Sequence, residues 1–181
     1  MKKNLIIVLL FFCFIIGCSK KNNALDEVSK YLNSFINLDK DIIKQIDDTI
    51  DNDSNICSEC KKVYKEILKR QYSTLKYNVI SEQYDDNYAV IKVAIDVIDL
   101  KKAESQAQNE LIPALDEYYD SSGTLNKDLY YKRKYELMLK SNDRAYYEID
   151  FFLEKKNGQW QIKDVTDEDL EKIHGIYKEW I

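Results

Sequence analysis

Cys57-Ser-Glu-Cys60 is the spacing in this chain best suited to chemistry. Two thiols three residues apart can close a local disulfide. At a helix start the first of them can also have its pKa lowered and exchange with other disulfides. No strand precedes the pair and no βαβ unit surrounds it, so Cys57 and Cys60 read as a candidate disulfide that pins a helix entry. The one histidine, His174, falls on the apolar stripe Leu170, Ile173, Tyr177 and reads as a packed or rim residue. From this one distant histidine neither a Ser-His-Asp nor a Cys-His set can be assembled. Tyrosines crowd the stretch from Tyr118 to Tyr147. Tyr118, Tyr130, Tyr131 and Tyr147 are candidates for a ligand surface, because a phenol joins an apolar body to a polar tip. The competing reading is core filling in a chain whose residue usage favours Tyr.

Asp51-Asn-Asp-Ser-Asn55 matches the opening of a calcium-binding loop, where alternating carboxylates converge on the ion. The match then fails. Ile56 stands where glycine permits the sharp turn, and Lys62 stands where a bidentate glutamate closes the cage. The run reads as a solvated acidic loop and no metal ligand is assigned. Asp96 and Asp150 sit mid-strand. An inward carboxylate there could act as a general base, but strand parity turns both away from the Val/Ile faces. No Gly-rich phosphate loop is present in the sequence.

These side chains must be held by helices and two hairpins. Apolar residues from Leu25 to Ile50 recur at three- and four-residue steps, which predicts a long amphipathic helix with a bend near 37–41. A second helix is expected from Ser58 to Tyr72. Strands Leu75 to Tyr84 and Tyr88 to Ile98 flank a turn at Asp85-Asp86-Asn87. Ala89, Ile91, Val93, Ile95 and Val97 alternate onto one face. A second hairpin, Ala145 to Lys155 and Gln159 to Val165, turns at Asn157-Gly158, the strongest two-residue hairpin signal. Its inward face carries Tyr147, Ile149, Phe151 and Leu153. Between the hairpins lie helical stretches Leu100 to Tyr119, with Pro113 forcing a kink or an early end, and Lys127 to Lys140. Thr166 caps a last helix reaching Trp180.

Helices grouped with hairpins, without βαβ alternation, make an α+β class with an antiparallel sheet of about four strands. The element order resembles the nuclear transport factor 2-like superfamily, most visibly in the stretch from Leu75 through Asp99-Leu100, where a strand runs straight into a helix. The likeness implies a curved sheet wrapped on a long N-terminal helix as a cone, here with an extra C-terminal helix. More narrowly it resembles the small bacterial lipoproteins of that superfamily, whose function is unassigned.

The N-terminus carries an address. Lys2 and Lys3 precede an unbroken apolar run from Leu5 to Ile16. That suits a signal peptide and falls short of the roughly 20 apolar residues a spanning helix needs. Ile15-Ile16-Gly17-Cys18 resembles the lipobox of bacterial lipoproteins. The likeness implies cleavage between Gly17 and Cys18, diacylglycerol on the Cys18 sulfur and an acyl chain on the new amino terminus. Two or three chains, at about 0.8 kcal/mol per buried methylene, anchor stably where one does not. Residues 1–17 are then the signal, 18–24 the lipidated cysteine and polar tether, and 25–181 a single α+β domain. With Cys18 acylated and Cys13 removed, four thiol and imidazole ligands for zinc are not available.

The expected location is the cell membrane or outer membrane, on the extracytoplasmic side. The chain from Cys18 to Ile181 has 164 residues, and removing Lys2 and Lys3 leaves 25 basic against 32 acidic residues, net −7. An acidic chain without basic clusters is a poor nucleic-acid binder. The expected function is a non-catalytic module that binds a protein or small ligand, held to the membrane by its lipid and using no dissociable cofactor. The alternative is an envelope enzyme using a cone cavity or the Cys57/Cys60 thiols.

Overall fold

The structure, a computed structural model, describes residues 23–178. The expected signal segment, Gly17, Cys18 and the tether up to Asn22 lie outside the described residues, as does Trp180. Within them the fold is α+β, with six α-helices and an antiparallel four-stranded sheet that does not close. The helices are α1 (Ala24–Ile36), α2 (Lys40–Asn52), α3 (Ser58–Ser73), α4 (Leu100–Leu111), α5 (Lys127–Met138) and α6 (Asp167–His174). A 3₁₀ helix (Ile112–Tyr118) follows α4. The strands β1 (Lys76–Asp85), β2 (Tyr88–Ile98), β3 (Arg144–Lys156) and β4 (Gln159–Asp164) neighbour one another in sequence order.

Alternation sets the sheet. Ile91 faces Phe151 and Val93 faces Ile149 across β2 and β3, and all four are buried. Helix α1 lays Val28, Leu32 and Phe35 into the same cluster. Fully burying side chains of this size contributes about 1.5–3 kcal/mol each. Tyr31 meets the Phe151 ring edge-on at 5.8 Å, and Phe35 meets Tyr72 at 5.1 Å. The space between the first helix and the sheet, where a cone cavity was expected, is filled by these side chains.

Two expected elements are corrected and one expected break is seen. The long N-terminal helix is two helices, α1 and α2. Leu38 takes φ +52° between them, outside the helical region, and Asp39 is the residue that opens α2. The helix after Leu100 ends at Leu111 and passes into the 3₁₀ helix, which breaks from helical geometry at Ala114, the kink expected beside Pro113, whose ring and missing N–H oppose a continuous helix. The last helix stops at Gly175, far short of Trp180, because Gly175 adopts the left-handed conformation at φ +70°. The amides of Gly175 and Ile176 donate to the carbonyls of Lys172 and Glu171, the paired bonds of a Schellman stop.

Candidate functional site

A small cleft forms where α2, α3 and the end of α6 meet. Ile42, Ile46 and Ile50 from α2 face Tyr64, Leu68 and Tyr72 from α3, each set spaced by four residues. That spacing stacks side chains on one helix face. Leu100, His174 and Ile176 complete the wall, with Gln45 and Thr49 adding polar groups. The cleft is partly open to solvent and has a volume of about 190 Å³. Among the described residues its lining holds no Asp, Glu, Lys or Arg. Wider clefts elsewhere carry charges, such as Glu59 with Lys62, Glu148 with Lys172, and Lys163 with Asp164.

His174 is the titratable group of this cleft nearest neutrality. Burial lowers its pKa below the ordinary 6.5, so the imidazole is neutral at pH 7. Its Nδ1 lies 2.9 Å from the Tyr72 hydroxyl. Burial is also the largest cause of the raised pKa of Tyr72 and of Tyr64, so both phenols keep their protons. In the tautomer in which Tyr72 donates, Nε2 carries the imidazole proton, and Nε2 has no protein partner among the described residues. The cleft therefore offers an uncharged wall and one imidazole that can donate or accept.

Its geometry depends on the segment after α6. The Gly175 carbonyl accepts from the Leu100 amide at 2.9 Å, which caps the start of α4. A Cβ at Gly175 would overlap the Ile98 carbonyl oxygen. The buried Gln71 side chain donates to the Ile173 carbonyl at 3.2 Å.

The candidate tyrosines separate. Tyr118, Tyr130 and Tyr131 form a row, with Tyr130 5.6 Å from Tyr118 and 5.4 Å from Tyr131. The row continues through Tyr135 to Tyr64, 5.0 Å apart. Tyr118 is buried, whereas Tyr131 is 39% exposed. Tyr147 is elsewhere, packed edge-on against Tyr177 at 5.6 Å. Tyr135 lies within the expected tyrosine-rich stretch but not among the four candidates, and Tyr64 lies outside it. The four-residue step from Tyr131 to Tyr135 was the available signal. Lys134, buried beside the row, pairs with Glu104 at 2.7 Å.

Cys57 and Cys60 are joined as a disulfide at the first turn of α3, with Cα atoms 5.0 Å apart. The Cys60 amide donates to the Cys57 sulfur at 3.1 Å, so Cys57 caps the helix. Cys60 is buried and Cys57 partly exposed.

The acidic run is spent on local ties. Asp51 takes Lys65 at 2.8 Å, and Asp53 accepts the Asn55 amide at 2.7 Å. Asp51 also lies in the last turn of α2 instead of a loop. Among the described residues no group of three metal-ligating side chains converges. Asp96 is paired with Arg144 at 2.5 Å and Asp150 with Lys92 at 3.6 Å. Among the described residues no helix is long and apolar enough to cross a membrane.

No family model matches the sequence, and no curated protein matches it either. One solved structure matches, from Bacillus subtilis, of a protein provisionally described as a lipoprotein (ycdA). The identity is 13% and the TM-score 0.47, and the match covers 88% of this chain. It covers 52% of that chain, so this protein spans about half the length of the structure it matches.

Proposed function

We propose that this protein is a lipid-anchored lipoprotein of the cell envelope and a non-catalytic module that binds a small uncharged ligand in the α2–α3–α6 cleft. The anchor rests on Ile15-Ile16-Gly17-Cys18 following a short apolar run. The ligand reading rests on one observation, the charge-free cleft with neutral His174. A charged occupant would lose hydration there without gaining a counter-charge, a cost of several kcal/mol. An uncharged one loses little and can meet the imidazole. A cavity of about 150 Å³ holds a benzene-sized molecule, so the 190 Å³ cleft suits one ring or a short branched chain with a single polar group. Helices packed on one face of an antiparallel sheet support the nuclear transport factor 2-like reading of the fold. In this reading the ligand site lies among α2, α3 and the end of α6, not between the first helix and the sheet.

Two experiments test this. The intact mass of protein extracted from native membranes should show a chain beginning at Cys18 and carrying acyl mass; a free thiol at Cys18 or a retained Met1 would reject the anchor. Thermal melts should show phenol stabilising the protein and benzoate, its charged counterpart in size, having no effect. Equal responses to the two would reject the cleft as a selective site.

A further inference from the structure

We propose that the hairpin-tip end of the sheet rests on the bilayer, with Tyr84, Tyr88 and Phe152 seated among the lipid headgroups and the helical insert from α4 to α5 held away from them. The inference rests on the lipid-anchor reading and on no property of the cleft.

Three observations carry it. The first is where the described chain starts. The Tyr84 hydroxyl donates to the Asn23 side chain at 2.7 Å, so α1 begins beside the turn that joins β1 and β2. An anchor at Cys18 lies five residues before Asn23. That length of chain reaches at most roughly 18 Å. The second is how the strands run. The two hairpin turns lie side by side, since the Lys155 amide donates to the Asn87 carbonyl at 2.7 Å. Strand β2 starts at this end with Tyr88 and finishes at Ile98, where the chain leaves the sheet for α4. Its eleven residues span roughly 35 Å at about 3.3 Å each. The tether is about half that length. It holds the tips near the bilayer, and it brings the insert down only if the sheet lies flat.

The third observation is what the tip exposes. Tyr84, Tyr88 and Phe152 are 49%, 56% and 55% exposed. Tyr88 and Phe152 share the sheet face turned away from α1, because their neighbours Ala89 and Phe151 are buried on the other. Val90 pairs with Phe152 between them. Tyr84 meets the Trp160 ring edge-on at 6.0 Å, and the Lys155 ammonium sits over that ring at 5.5 Å. Amphipathic rings settle at the headgroup level of a membrane, and a lysine stem lies along apolar surface while its charge reaches the phosphates. Charge does not drive the contact. Lys155, Lys156 and Lys163 share this end of the sheet with Glu82, Asp85, Asp86 and Glu154, so the rings must carry it, and a zwitterionic bilayer suffices. The same orientation turns the cleft outward. Leu100 follows the far end of β2, and His174 is beside it through the bond from the Leu100 amide to the Gly175 carbonyl.

The test uses the mature, membrane-extracted protein in phosphatidylcholine nanodiscs, with and without a lipid that carries a gadolinium chelate on its headgroup. Amide signals of residues 84–90 and 154–159 should be lost with gadolinium, while those of 127–138 and of Leu100 keep their intensity. Loss spread evenly over the surface, or loss centred on 127–138, overturns the proposal. So do tip signals that shift with protein concentration in the undoped nanodiscs, which would assign the rings to a second copy of the chain. Intact mass separates the two readings. Protein without acyl mass sinks the anchor and this inference together, whereas acylated protein with even signal loss sinks this inference alone. Tyr88→Ser combined with Phe152→Ser, both on exposed side chains, should keep the acyl mass and make the loss even. Selective loss that survives both substitutions overturns the role of the rings. The pattern on the unsubstituted chain stands as a test whether or not the variant folds.

Discussion

The sheet and the helical insert between β2 and β3 are held together by different physics. The sheet side buries Phe35, Ile91, Val93, Ile149, Phe151 and Leu153 in one apolar cluster. The insert buries a smaller set, with Ala103, Ala107 and Met138 packed on Ile67, Ile98 and Leu100. It compensates with polar ties. The Arg70 guanidinium donates to the Leu139 and Ser141 carbonyls at 2.7 and 2.6 Å and to the Asn142 side chain at 2.7 Å. Asp143 holds Lys102 and Gln106, both at 2.8 Å, and Lys102 keeps its carboxyl below the usual range. Apolar burial is indifferent to moderate salt, whereas exposed ion pairs are screened within about 8–10 Å at physiological ionic strength. The insert is therefore expected to open first. It is also the part that carries the tyrosine row and faces the disulfide.

That contrast is open to attack by substitution. Phe151→Ala should cost most, about 3–5 kcal/mol, as buried aromatic truncations do, and should lower the melting temperature of the whole chain. Gly175→Ala should cost about 2 kcal/mol, since it places a side chain at left-handed φ and against the Ile98 carbonyl. It should also loosen the cleft, seen as weaker phenol stabilisation. Arg70→Ala should cost about 1.5 kcal/mol, near the lower value for hydrogen bonds from a charged group. Its effect should be local. Amide exchange should speed up in α4 and α5 while β2 and β3 stay protected, and salt should reproduce a weaker form of the same pattern. Uniform acceleration across sheet and insert would erase the distinction.

The smallest effect concerns pH. His174 has a lowered pKa in the fold, because burial disfavours its charged form. The unfolded chain binds the proton near the ordinary 6.5. Below that pH the unfolded state holds more protons, so stability is full above about pH 6.5 and declines as the pH falls. His174→Gln should flatten this decline, checked by denaturant melts between pH 7.5 and 5. An unchanged slope would place the decline on the carboxylates instead.

Much of the sheet was legible because a two-residue period maps directly to a face. The five alternating residues of β2 are all buried, and Asn157 and Gly158 both take positive φ at their turn. The N-terminal break was partly legible. A bend near Asn37 to Asp41 follows from the change in stripe, but Leu38 is neither Gly nor Pro, so nothing in the residue type announced a full stop. Gly175 was a readable helix stop that the apolar stripe through Tyr177 obscured. The cleft was not legible at all. Tyr72 and His174 are 102 residues apart, and their meeting depends on how α3 and α6 pack. The same holds for the tyrosine row, where the abundance of Tyr hid which rings would touch.

The most direct test of the account uses the single histidine of the chain. A long-range ¹H–¹⁵N spectrum of His174 reports its tautomer and any occupant of the cleft without ambiguity. The account predicts a neutral ring at pH 7 whose nitrogens shift on saturation with phenol and stay fixed with benzoate. A charged imidazolium at that pH, or nitrogens that respond to neither compound, would contradict it.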